Sequence, residues 1–95
     1  MTSKTRVEFT RFAEKRLDRL PKEIRENLSI WVELVEAIGL HGCRQIRGYR
    51  DEALKGKRFG QRSARLSRSY RVIYEQTEVG DCTIVGILEV NKHDY

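Results

Sequence analysis

The chain has 95 residues, of which 39% are hydrophobic and 35% charged, and its formal net charge is +5. That length allows one domain, spanning 1–95, with a single modest core. No stretch approaches the roughly 20 apolar residues of a membrane span, and the first residues lack the apolar centre of a secretion signal, so no membrane role and a cytoplasmic location are expected.

In chain order, "TRVEF" near the start alternates polar and apolar residues and predicts a short strand. Thr10 suits the N-cap of a following helix, with Phe9, Ala13, Leu17 and Leu20 on one face. Pro21 ends that helix and fits the first turn of another. In the second helix Ile24, Leu28, Trp31, Val32, Val35 and Ile38 form an apolar stripe, and Gly39 supplies a natural stop. Lys22, Glu26, Glu33 and Glu36 occupy the opposite face, and Trp31 belongs to the core by its place on the stripe.

The glycine-rich, basic passage 39–61 has weak periodicity and predicts a strand fragment between loops. "RSARLSRSYRVIYE" then reads as a hairpin, "TEVGD" as a turn, and "CTIVGILEV" as a strand covered on both faces and therefore central. Together these give an α+β domain: an N-terminal strand and two helices packed on one face of a small twisted, mainly antiparallel sheet. Cys43 and Cys82 form no motif and are read as free thiols.

Charge is unevenly placed. From Arg44 to Arg71 ten basic residues face only Asp51 and Glu52, whereas the rest of the chain holds nine basic and twelve acidic residues. Such a field attracts polyanions, nucleic acid above all, although a merely solvated basic surface has the same composition. The hairpin sharpens this. With a three-residue loop, Ser67 to Ser69, Leu66 pairs with Tyr70 and Arg65 with Arg71, and two guanidinium groups share a face. A two- or four-residue loop would send the arginines to opposite faces. Like charges directly across a ladder repel, so the first pairing makes sense where an anion such as phosphate lies between them.

Nucleophile elbows, phosphate-binding loops and metal-ligand spacings are absent, and neither His41 nor His93 has a ligand partner at short range. No metal and no cofactor are expected. What remains suits phosphoryl transfer within RNA: cations to hold a phosphate, a carboxylate to take a proton and an imidazole to give one. Glu52 and His93 are the candidates. Their ordinary alternatives are a surface carboxylate paired with Arg50 or Lys55, and an exposed terminal side chain.

The passage "DEALKGKRFGQRSARLSRSYRVIYE" followed by "NKHDY" resembles toxins of the RelE/ParE superfamily from bacterial toxin–antitoxin pairs. The similarity covers essentially the whole chain. It is greatest to the YoeB branch, where a Pro-Glu-Pro-Leu-Lys segment leads into an arginine-bearing hairpin and the chain ends in His-Tyr. The resemblance implies a RelE-like microbial ribonuclease-type fold and a ribosome-dependent mRNA endonuclease that arrests translation. Under it, Glu52 is the general base on the ribose 2′-hydroxyl, Arg65 and Arg71 hold the scissile phosphate, His93 is the general acid, and Tyr95 braces the substrate. Lys55 and Lys57 would contact RNA backbone, with Arg58, Arg62 and Arg68 docking on ribosomal RNA.

Two departures from the branch are visible. Asp94 separates His93 from Tyr95, and Asp51 and Ala53 replace the prolines around Glu52. The second loosens the loop and sets another carboxylate beside the proposed base, which would disfavour ionisation of Glu52. An alternative within the superfamily is a ParE-like module that inhibits DNA gyrase by binding, and a third is a fold relative without toxicity. The toxin readings imply a small acidic or amphipathic antitoxin partner and a toxin–antitoxin hetero-oligomer.

Overall fold

The computed structural model describes residues 4–92. The first strand, β1 (Lys4–Phe9), leads into a short helix, α1 (Arg11–Arg16). Thr10 joins them as predicted: its hydroxyl accepts the Ala13 N–H at 3.2 Å and so satisfies an orphan donor of the first turn. The helix is shorter than its apolar pattern implied, because Leu17–Arg19 tightens into a 3₁₀ turn ahead of Pro21.

Helix α2 (Lys22–Arg44) carries the predicted stripe, with Ile24, Leu28, Trp31 and Val35 buried. Gly39 does break the helix, at φ +79°, but helical geometry resumes beyond it. The redirected last turn puts Leu40 and Cys43 into the core. Ile38, expected on the stripe, is 51% exposed and lies instead over Gly42, because Leu40 takes the core position. Among the described residues, no helix is long and apolar enough to cross a membrane.

The passage after α2 forms two 3₁₀ turns around β2 (Glu52–Ala53), a strand of two residues, as the expected fragment. β3 (Arg62–Arg65), β4 (Tyr70–Val79) and β5 (Cys82–Lys92) complete one sheet in the order β1-β5-β4-β3-β2. Only β1 runs parallel to its neighbour β5; the other pairs are antiparallel. The α+β reading with both helices on the sheet therefore holds. β4 rather than β5 is central, and β5 is covered on one face only, with Val85 and Ile87 buried among its first eight residues. The "TEVGD" turn is also tighter than predicted. Val79 pairs with Cys82, leaving only Gly80 and Asp81 in the loop, and Gly80 takes φ +59°.

The core lies between α2 and the sheet, where Trp31 and Tyr74 meet at 5.2 Å between ring centroids. Both cysteines are free, Cys43 buried and Cys82 half-buried. Thr10 contributes a second tie, since its hydroxyl donates to the Leu88 carbonyl at 3.2 Å and its N–H to the Ile87 carbonyl at 3.0 Å. Thr10→Ala is accordingly expected to cost about 1–2 kcal/mol, a melting-temperature loss of several degrees, with Thr10→Ser recovering most of it. A thermal melt of the three proteins checks this, and an unchanged Thr10→Ala transition refutes it.

Candidate active site

The hairpin settles the pairing that the sequence left open. Arg65 stands directly opposite Arg71, Ser63 opposite Ile73, and Leu66 N–H donates to the Tyr70 carbonyl at 2.9 Å, so the loop is Ser67, Arg68 and Ser69. Ser67 Oγ accepts the N–H groups of Ser69 and Tyr70, each at 3.2 Å, which fixes the tight loop. Asn27 of α2 donates to the Leu66 carbonyl at 2.9 Å and pins the loop to the helix layer.

One strand over, Glu52 pairs with Ser63. Paired residues share a face and alternate residues return to it, so Glu52, Ser63, Arg65 and Arg71 all face away from the helices. They line an open cavity of about 210 Å³ together with Arg50, Ser67, Arg68 and Tyr70. Four arginines and one carboxylate around so small a space favour an anion strongly. Among the described residues Glu52 does not form the surface pair with Arg50 or Lys55 that was its ordinary alternative.

Not every predicted cation joins this group. Lys55 and Lys57 are exposed on the loop between β2 and β3, whereas Arg68, exposed at the hairpin tip, does line the cavity. Arg62 departs from the expected RNA contact. It sits three residues before Arg65, so alternation sends it to the helix side, where its Nε donates to Asp51 Oδ1 at 2.6 Å. Arg58 is on the open side but is paired with Glu89 at 2.5 Å. His93 and Tyr95 lie outside the described residues.

Asp51 corrects a second expectation. It does not stand beside Glu52 in the cavity; its side chain is 2% exposed on the helix side, held by Arg62 and Arg44 and accepting from the Tyr74 hydroxyl. Burial, and then this bond to Asp51, push the Tyr74 phenol up to about 12. Adjacent residues of extended chain face opposite ways, so Asp51, just ahead of β2, is buried as an anchor while Glu52, the first residue of the strand, is presented on the open face. Arg50 was not singled out by the sequence, yet it lines the cavity and holds a left-handed backbone (φ +41°, ψ +49°), uncommon for a side chain of its size.

Across the hairpin tip an apolar groove of about 470 Å³ runs between α2 and the loop, lined by Ile30, Leu34, Ile46, Tyr49 and Leu66. Arg65, Ser67 and Arg68 border both this groove and the cationic cavity.

No protein-family model and no curated protein sequence matches the chain. Solved structures do. The RelBE2 toxin–antitoxin complex from Mycobacterium tuberculosis contains a chain that is 25% identical, with 96% of this chain and 99% of that one covered at a TM-score of 0.66. The archaeal RelE–RelB complex from Pyrococcus horikoshii gives 23% identity, coverage of 97% and 96%, and a TM-score of 0.63. The DinJ–YafQ toxin–antitoxin complex from Escherichia coli is similar at 17% identity, with coverage of 95% and 93% and a TM-score of 0.72.

Proposed function

The fold is that of the RelE/ParE superfamily, of the RelE, YoeB and YafQ type, and from it we propose that this protein is the toxin of a toxin–antitoxin pair and cuts mRNA on the ribosome. The observation that carries the reading is the direct opposition of Arg65 and Arg71 on the open face, with Glu52 on the same face one strand away. Two cations directly opposite each other on one face suit an anion that binds both, and a carboxylate on the same face is what a base requires.

In the proposed reaction Glu52 removes the ribose 2′-hydroxyl proton, and the 2′-oxygen attacks the adjacent phosphorus. Arg65 and Arg71 hold the non-bridging oxygens and offset the charge that builds there. The bond from phosphorus to the 5′-oxygen breaks, and His93, which follows Lys92 directly in sequence, protonates that oxygen. The products are a cyclic phosphate and a 5′-hydroxyl, and no metal takes part. Tyr95 is assigned to bracing the substrate, and Lys55, Lys57 and Arg68 to RNA phosphates through salt-sensitive contacts. A cognate antitoxin would cover this basic face and lay apolar side chains into the neighbouring groove. Purely binding action on gyrase would need no carboxylate among the arginines.

Expression of the wild type, Arg65→Ala and His93→Gln, followed by mapping of mRNA 5′ ends, tests the reading. New ends are expected with the wild type, at least a hundredfold fewer with His93→Gln, and none with Arg65→Ala. Growth arrest with intact mRNA would sink the nuclease proposal, and DNA damage in its place would point to gyrase.

A further inference from the structure

A β-bulge decides which residues of β5 reach the open face. Tyr74 pairs with Ile87 but Ile73 pairs with Glu89, so Leu88 is one residue too many. Val85 and Ile87 face the helices, and strict alternation would send Glu89 and Asn91 after them. The extra residue reverses the parity. Val90 packs on the core opposite Val72, and Glu89 and Asn91 emerge on the open side, Asn91 opposite Arg71.

The side chains so delivered form one hydrogen-bonded chain. Arg71 Nε donates to Asn91 Oδ1 at 3.3 Å, and Asn91 Nδ2 donates to Glu89 Oε1 at 2.7 Å. Arg58 Nη2 donates to the same Glu89 oxygen at 2.5 Å, and its Nη1 to Gln61 Oε1 at 3.0 Å. Asn91 is thereby fixed in one amide orientation, because only its oxygen can accept and only its nitrogen can donate. The distribution of charge along this chain is informative. Among the described residues, the Glu89 carboxylate is matched to Arg58, whereas the side chain that Arg71 hydrogen-bonds is a neutral amide.

We infer that Glu89 and Asn91 are positioning residues for Arg71, holding its guanidinium in place without neutralising it, and that Arg58 serves as the counter-ion of Glu89. A carboxylate directly on Arg71 would orient it as well but would compete with phosphate for its charge. With Nε engaged, the terminal nitrogens of Arg71 are the donors left for an anion. The inference rests on reading the cavity as a phosphate site, and its test has an arm that does not depend on RNA cleavage.

That arm follows the Arg71 Nε–H resonance by NMR while inorganic phosphate is titrated. Asn91→Ala should speed exchange of this proton with water at least tenfold and weaken phosphate binding severalfold. The exchanged pair, Glu89→Gln with Asn91→Asp, rebuilds the chain with the carboxylate moved onto Arg71. It should restore slow exchange but leave phosphate affinity low. If Asn91→Ala does not fold, Glu89→Gln alone should still raise the exchange rate severalfold. In the second arm, on programmed ribosomes, Asn91→Ala should lower kcat about a hundredfold with KM within threefold. Unchanged exchange and phosphate affinity in Asn91→Ala overturn the inference, as does wild-type phosphate affinity in the exchanged pair. A wild type that fails to cut RNA while the NMR pattern holds removes the functional reading and leaves the positioning role standing.

Discussion

Glu52→Gln is expected to lower the rate of RNA cleavage by roughly 10²–10⁴-fold, the usual range for loss of a general base, with almost no change in stability. The side chain is exposed, and β2 is joined to β3 through backbone pairing of Glu52 with Ser63, which the substitution leaves intact. Surface changes of this kind stay within about 0.5 kcal/mol. Glutamine keeps the shape of glutamate but cannot accept the 2′-hydroxyl proton at neutral pH. It also removes the one carboxylate that the described residues contribute to a cavity lined by Arg50, Arg65, Arg68 and Arg71. RNA should therefore bind as tightly as before or more tightly, so kcat falls while KM holds or drops. That split separates catalysis from mere binding, since a protein that acts by occupying a target would keep or gain potency. Single-turnover cleavage on programmed ribosomes measures it. A Glu52→Gln protein that cuts within threefold of the wild type would remove Glu52 from the mechanism.

How much of this was legible before the structure depends on strand parity. The opposition of Arg65 and Arg71 was one of two arrangements open to the hairpin, conditional on a three-residue loop, and the register selects it. The same parity separates Arg62 from Arg65 and Asp51 from Glu52, each an odd number of positions apart. Treating the basic stretch as one surface overlooked that step, and so Arg62 was assigned to RNA although it faces the helices. The bulge at Leu88 left no such signal. Residues 82–90 are almost continuously apolar, and without alternation a parity change is invisible, so Asn91 could not be placed beside Arg71. Gly39 announced a break in α2, but the resumption beyond it depends on Leu40 and Cys43 finding the core, a tertiary effect. The left-handed backbone of Arg50 is equally silent in sequence, because arginine carries no preference for it.

Asp51→Ala should be the most destabilising change near the site, by about 3–5 kcal/mol, the range for removing one partner of a buried ion pair. Its carboxylate accepts from Arg62 Nε and the Tyr74 hydroxyl and stands 3.7 Å from Arg44 Nε. Truncation leaves two partly buried guanidinium groups facing each other and a buried phenol without its acceptor. Against a total stability of about 5–15 kcal/mol, that is a large share. Asp51→Asn keeps an acceptor and should cost less. Because Asp51 directly precedes Glu52, either variant should also reduce cleavage, through misplacement of the base rather than loss of it. Chemical denaturation as a function of pH supplies a second reading of the same cluster. Burial and the bond to Asp51 raise the Tyr74 phenol to about 12, whereas an unfolded tyrosine titrates near 10. Between those values the unfolded chain has released a proton that the native protein keeps. This contribution is therefore complete below about pH 10 and is lost as pH rises towards 12. Tyr74→Phe should flatten that alkaline decline, and a variant whose stability falls above pH 10 as steeply as the wild type's would show that the decline has another origin.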